Sequence, residues 1–299
     1  MRVALLTSDL TYKHGWGNYS LSLIKALQAQ DVDLTILTAR NSQKIKGIAS
    51  HPVLPNIDPQ EPNSIAKMFL WRNKIARLIA DCDVIHTTIE LYAPLLGLIR
   101  NARPAFMTAH GSYINLPKIR HFPANKIFQH AFENMHIICV SHYTEHVAKT
   151  IIPSAETSVI LNTIDAVHFA DIDHQTTEKP IVVTTGGIKA RKGTKYLIEA
   201  IAKVRETLPD VQCYVIGTDS AEPTYVAEVK ATIEKLDLDK TVHLLGFVSD
   251  EVLREWYAKA DVFALPSINA DWKFEGFGLA TLEASAAGVA VIGTRDCGA

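Results

Sequence analysis

Short apolar runs alternate with helical patterns along nearly the whole chain. Residues 3–7, Val-Ala-Leu-Leu-Thr, have the length and composition of a buried parallel strand. His14-Gly15-Trp16-Gly17-Asn18 reads as a loop, and Tyr19, Leu23 and Leu27 recur at helical spacing, which predicts a helix over about 18–29. Residues 34–38 are the next strand. The proline-rich stretch 52–62 reads as loop, and Ile65, Met68, Trp71, Ile75 and Leu78 mark an amphipathic helix. Strands are expected to end at His86 and at His110, and further strands at 137–141 and 159–162. Between them, residues 118–135 combine Lys118, Arg120, His121 and Lys126 with Phe122, Phe128, Phe132 and Met135. Read as one helix, this is either core packing with a solvated face or a weak peripheral contact with an anionic membrane surface.

The pattern breaks over 166–180, a polar stretch that includes Asp171, Asp173, His174 and Glu178, and then restarts. Strands are expected at 181–185, 214–217, 242–246 and 261–267. Helices are expected around Leu197–Leu208 spacing, around Val226, Val229 and Ile233, and over 250–259. Two βα-repeating halves, each with a glycine-containing first loop, predict an α/β chain of two Rossmann-like domains facing a cleft. The expected boundaries are 1–170 for the first domain, 171–180 for a linker, and 181–299 for the second domain.

Composition narrows the class. The chain has 299 residues, 47% of them hydrophobic, enough for about two domains with real cores. A net charge of −2 makes no electrostatic case for nucleic acid. Cys82, Cys139, Cys213 and Cys297 are far apart with no CxxC pair, as in reduced structural thiols. No apolar run reaches signal-peptide or membrane-spanning length, so the expected location is cytoplasmic, with at most peripheral membrane contact.

The chemistry concentrates near residue 280. Phe274-Glu275-Gly276-Phe277-Gly278-Leu279-Ala280-Thr281-Leu282-Glu283 places one carboxylate on a glycine-flanked turn and another inside the helix that follows. A turn feeding a helix N-terminus offers free amides and a positive dipole end to an anion, while the carboxylates accept hydrogen bonds from hydroxyls. A ligand meeting both demands carries phosphates and sugar hydroxyls. The plain alternative is a strand–turn–helix unit with a solvated Glu283.

Taken with Lys192-Gly193 after a strand, Leu161-Asn162-Thr163-Ile164-Asp165, and Ala260-Asp261-Val262-Phe263-Ala264-Leu265-Pro266-Ser267, this stretch resembles the family 4 retaining glycosyltransferases of the GT-B fold. The resemblance spans the whole chain in order and spacing. It implies transfer of a hexose from a nucleotide-sugar donor to a sugar, lipid or other hydroxyl acceptor, with retention, no metal ion and no cofactor beyond the donor substrate. It implies that Gly15 and Gly17 lie near the donor phosphates, that His110 contacts the transferred sugar, and that Lys192 neutralises the diphosphate. Glu275 would face the hexose and Glu283 the ribose, with the turn of Gly276, Phe277, Gly278 and Leu279 adding donors. In this reading His110 and Glu275 sit at the reacting centre.

Two departures from the family stand out. Gly187 occupies the position of a diphosphate-gripping arginine, and Arg191, four residues on, is the candidate replacement. The family also continues beyond residue 299, so the second domain is expected to be incomplete and less stable than a longer chain. Two other readings stay open. One is a weakly active or inactive nucleotide-sugar or glycan-binding remnant. The other is a different two-domain enzyme such as an epimerase or dehydrogenase, against which the absence of GxGxxG counts.

Overall fold

Val3, Leu5 and Leu6 are almost wholly removed from water, which is why the first apolar run becomes a central strand. Each such side chain contributes roughly 1.5–3 kcal/mol of burial. The computed structural model describes residues 1–11, 15–57, 64–100, 102–220 and 222–299. His14, Pro59 and Pro62 lie outside these. Contacts divide the chain into two units, Met1–Asn162 and Thr163–Ala299.

In the first unit β1 (Arg2–Thr7), β2 (Asp33–Ala39), β3 (His51–Leu54), β4 (Val84–Thr87), β5 (Ala105–Ala109), β6 (His136–Cys139) and β7 (Glu156–Val159) form a parallel sheet of order β3-β2-β1-β4-β5-β6-β7. Order reverses between β1 and β4. The helices are α1 (Gly15–Ala29), α2 (Ser64–Leu78), α3 (Ala93–Ile99), α4 (Leu116–Ile119), α5 (Ala124–Glu133) and α6 (His142–Ile151).

Several expectations are corrected here. The loop expected at Gly15 and Gly17 is instead the first turn of α1, with both glycines at a helix end rather than in the interior where glycine costs most. Gly17 is packed so tightly that an added Cβ would lie 2.4 Å from the Thr11 carbonyl. Pro52 sits in a strand rather than a loop, tolerated because β3 is an edge. The helix expected over 118–135 breaks into α4 and α5 around Phe122-Pro123, with Pro123 at the N-cap of α5. The last strand ends at Val159, and Ile160 and Leu161 are more than half exposed. α3 is buried on nearly every face, so it has no amphipathic period to read.

In the second unit α7 (Ala166–Ala170) precedes β8 (Ile181–Thr185), α8 (Thr194–Arg205), β9 (Gln212–Ile216), α9 (Pro223–Lys235), β10 (Val242–Gly246), α10 (Asp250–Lys259), β11 (Val262–Leu265), α11 (Leu279–Ala286) and β12 (Ala290–Gly293). The parallel sheet runs β10-β9-β8-β11-β12. Ile181 and Val183 face one core cluster while Val182 packs against another, so both faces of β8 are covered. The stretch read as ending in a linker is packed on this unit. Phe169 and Ile172 join its core, His174 Nε2 donates to the Ala287 carbonyl at 2.7 Å, and the Gln175 amide donates to Ala258 at 2.8 Å. Cys82, Cys139 and Cys213 are buried and Cys297 half-buried, all as free thiols.

Candidate functional site

Order in the second sheet reverses between β8 and β11, and ligands of doubly wound sheets bind beyond the carboxyl ends of strands at that point. The loops leaving β8 and β11 carry the charged residues singled out above. They are tied together: the Ile268 amide donates to the Arg191 carbonyl at 2.9 Å. The β8 loop closes in a 3-10 turn, Ala190–Lys192, then Gly193 takes a left-handed conformation at the N-cap of α8.

Glu275 is buried, with 8% exposure. One of its oxygens takes both cations of the neighbouring loop: Lys192 Nζ lies 2.7 Å away, and Arg191 Nη1 bonds the same Oε2. Burial alone would raise this carboxyl, but the Lys192 and Arg191 charges outweigh it and hold its pKa below the ordinary value. Lys189 is also pushed below its ordinary value, first by burial and then by the positive charges of Arg191 and Lys192. Nearby, Glu222 accepts from the Ala190 amide at 2.8 Å and from Lys273 Nζ at 2.7 Å. Four cations, Lys189, Arg191, Lys192 and Lys273, thus meet two carboxylates, Glu222 and Glu275. The surplus of positive charge suits a polyanion.

Glu283 joins this group from the second turn of α11. Its pKa is raised, by burial first and then by the charge of Asp250, with Lys192 pulling it down. The buried Tyr257 hydroxyl lies near Glu283 and Thr185 without a hydrogen bond of good geometry. Lys192 is therefore felt by both carboxylates of the sequence motif. Between them Gly276 is buried, Phe277 half-buried, and Gly278 is the left-handed N-cap of α11, whose first residue is Leu279. The loop is braced by the Gly298 amide, which donates to the Glu275 carbonyl at 2.7 Å.

Arg191 does not lie over Gly187. The atoms nearest an added Cβ there are the Thr218 carbonyl oxygen at 3.3 Å, and Lys189 Cε and Thr218 Cγ2, both at 3.4 Å. Lys189, Glu222, Lys273 and Tyr257 escaped sequence reading. Lys189 alone had a signal there, as part of the run Lys189-Ala190-Arg191-Lys192.

The remaining candidates lie in the first unit. Gly15 and Gly17 lie in the first turn of α1. His110 follows β5, and its Nε2 is 2.7 Å from the Thr88 carbonyl. A carbonyl only accepts, so Nε2 carries the proton. Burial pushes the ring's pKa down to about 4, so it is neutral and its Nδ1 is an acceptor. Tyr19 packs edge-on against it at 4.6 Å and hydrogen-bonds Thr108 at 3.1 Å, and Thr108 also meets His86 at 2.8 Å.

Two doubly wound parallel sheets in one chain, the second with a cationic site flanked by carboxylates at its switch point, define the architecture of a GT-B-type protein. The chain belongs to the glycosyltransferases: Glycosyltransferase Family 4 matches residues 14–168 and Glycosyl transferases group 1 matches residues 169–299. It is 32% identical over 124 residues to the GDP-mannose-dependent alpha-(1-6)-phosphatidylinositol monomannoside mannosyltransferase of Mycolicibacterium smegmatis, covering 41% of this chain and 31% of that protein. It is 26% identical over 244 residues to the protein of the same name from Mycobacterium tuberculosis, covering 76% of this chain and 62% of the relative. Both matches span less than two thirds of the relative. Among solved structures, sucrose-phosphate synthase from Thermosynechococcus elongatus has a TM-score of 0.79 at 19% identity, covering 98% of this chain and 81% of that one. The catalytic domain of starch synthase IV from Arabidopsis thaliana, bound to ADP and acarbose, has a TM-score of 0.70 at 15% identity, covering 99% and 83%. These structures share the fold. No helix among the described residues is long and apolar enough to cross a membrane.

Proposed function

We propose that this chain is a retaining glycosyltransferase that moves a hexose from a nucleotide sugar to a hydroxyl acceptor on a sugar, lipid or other small molecule, without a metal ion or cofactor. The observation that carries the reading is the Arg191–Glu275–Lys192 contact at the switch point of the second sheet. A donor diphosphate brings oxygens that Lys192 and Arg191 can bind, and the hexose hydroxyls return hydrogen bonds to Glu275. Glu283 takes the ribose, and the amides of Phe277, Gly278 and Leu279 add donors. As the bond to the anomeric carbon breaks, charge builds on the leaving diphosphate, which is where fixed cations lower the barrier. His110 accepts a hexose hydroxyl at Nδ1, and the first turn of α1 at Gly15 and Gly17 lies at the phosphates. In this reading the enzyme holds donor and acceptor in line for attack.

UDP-, GDP- and ADP-sugars distinguish this from a remnant. A cognate donor at about 100 times its Kd stabilises the fold by about 2.7 kcal/mol, a rise of several degrees in Tm. The names of the mycobacterial relatives make GDP-mannose the first donor to try. Transfer or slow hydrolysis of the stabilising donor is the expected second result. If no nucleotide sugar shifts Tm, the reading falls.

We further propose that this cytoplasmic protein touches membranes weakly through 118–135. The aromatic stripe is only partly available, because Phe128, Phe132 and Met135 are buried core; Phe122, 81% exposed beside Lys118, Arg120 and Lys126, is what remains. Flotation with vesicles containing phosphatidylglycerol should recover the protein, and Phe122→Asp should reduce recovery severalfold. Equal recovery of both proteins removes this contact.

A further inference from the structure

One fully buried carboxyl in the first unit has no part in the reaction described above. Glu90 opens a 3-10 turn, Glu90–Tyr92, directly after β4, and is completely inaccessible to solvent. Its Oε1 accepts the His110 amide at 2.8 Å, and the Gly111 amide also bonds the carboxyl. Its Oε2 has no hydrogen-bond partner. The residues it grips form an unusual turn. Gly111 has φ 148° and ψ −121°, a conformation reserved for glycine. Such a backbone persists only where its surroundings hold it. The imidazole of His110 is braced from the same strand end, with Nε2 on the Thr88 carbonyl and the Thr88 hydroxyl 2.7 Å from Ser20.

We propose that Glu90 is a positioning residue for His110: its carboxyl holds the amides of residues 110 and 111 and so fixes where the imidazole stands at the end of β5. This rests on the reading of His110 as the residue that meets the donor sugar. Below about pH 7 Glu90 does this mainly as an uncharged acid. Burial raises its pKa to about 7, against the opposing pull of the amides of residues 90, 110 and 111. Among the described residues, the titratable groups on the neighbouring elements are His110 at the end of β5, His86 on β4, Tyr92 on its own turn and Cys139 at the end of β6, which senses the charges of Glu145, Glu90 and the more distant Lys149 of α6. His86 and His110 are neutral, and none of these groups supplies a positive charge to stabilise an ionised Glu90. Ionisation leaves an unpaired buried charge, and the structure relieves it by loosening the turn or admitting water.

The sign of the linkage follows. The folded pKa, about 7, lies above the unfolded one, 4.5. Stability is therefore lost as pH rises from 4.5 to 7, and the loss persists above that. The two histidines act oppositely over pH 4 to 6.5, so only the difference between wild type and a Glu90 variant isolates the effect.

The test compares wild type, Glu90→Gln, Glu90→Ala and His110→Ala in transfer kinetics and Tm from pH 5 to 8.5. Glu90→Gln keeps the accepting oxygen and carries no charge. It should stay within about threefold of wild type in kcat at pH 6, lack the fall in kcat that ionisation of Glu90 produces in wild type as pH rises through 7, and gain several degrees of Tm over wild type between pH 5 and 8. Glu90→Ala should lose kcat by roughly 10- to 100-fold with donor KM changed far less, because it misplaces a group that acts on the reacting sugar. Wild-type kcat in Glu90→Ala, or a Glu90→Gln whose Tm difference from wild type does not change with pH, overturns the proposal. If Glu90→Ala fails to fold, that Tm difference still decides. Full activity in His110→Ala would instead sink the donor-sugar reading and leave the Glu90 stability result standing.

Discussion

Lys192→Ala should cut kcat/KM for transfer by roughly 10²- to 10³-fold, the usual cost of removing one preorganised charge partner of a leaving group. Lys192 acts on both carboxylates of the motif, bonded to Glu275 at 2.7 Å and contributing to the environment of Glu283. Its loss therefore acts twice. It removes positive charge from the diphosphate, and it leaves Glu275 buried with Arg191 as its remaining cation. Glu275 owes its depressed pKa to Lys192 first among the two cations, so the variant should raise that pKa and move the acid limb of the activity profile to higher pH. Lys192→Arg should recover part of the rate, because the charge returns at an altered reach. Arg191→Ala should cost less, about tenfold. If Arg191→Ala leaves donor binding unchanged, Arg191 does not replace the family's arginine, and Lys189 beside Gly187 becomes the residue to change. A Lys192→Ala protein with wild-type kcat/KM would remove the switch point of the second sheet from the proposed reaction.

Gly193→Ala should be the most destabilising small substitution near the site. Gly193 is left-handed at φ 69°, which costs a non-glycine residue about 1 kcal/mol. The steric cost is larger. An added Cβ would lie 1.8 Å from the Pro266 carbonyl oxygen and 2.8 Å from its carbon, both backbone atoms that cannot swing aside. Together these predict a loss of at least about 3 kcal/mol, or roughly 6–12 °C in Tm for a domain of this size. The displacement falls on the contact that joins the two charged loops, because Ile268, two residues past Pro266, bonds the Arg191 carbonyl. Donor binding should weaken with stability. Gly246, also left-handed but with nothing within 4 Å of its added Cβ, is the control, and its alanine variant should lose only the conformational part. A Gly193→Ala protein melting with the Gly246→Ala protein would show that the close approach to Pro266 is not what the site depends on.

Most of the fold was legible because a doubly wound sheet buries its strands on both faces. Residues 3–7 and 181–185 are apolar runs closed by threonine for that reason, and α2, α9 and α10 show the stripe of a helix covering a sheet. Elements that break these rules were misplaced or passed over. β3 contains a proline because an edge strand has a side that needs no donor. α3 has no stripe because it is enclosed. α6 was missed although Ser141 caps it, its hydroxyl accepting the Thr144 amide at 3.0 Å. At the site, Glu275 and Glu283 were legible from their glycine-flanked turn. Glu90 was not, because a single acid in Thr88-Ile89-Glu90-Leu91 has no local signature; its importance comes from amides twenty residues away.

By itself the sequence determined two parallel α/β units, the helix after Gly278, and which residue types stand at strand ends, since these follow from periodicity and turn chemistry over short stretches. The order β10-β9-β8-β11-β12 decided the rest. It sets the loops of two neighbouring strands, eighty residues apart in sequence, side by side. Only that placement puts Arg191 and Lys192 on one oxygen of Glu275 and reverses what burial alone would do to its charge. Interactions of this kind depend on distance through space and on the loss of water around each group, and neither is a property of a stretch of chain.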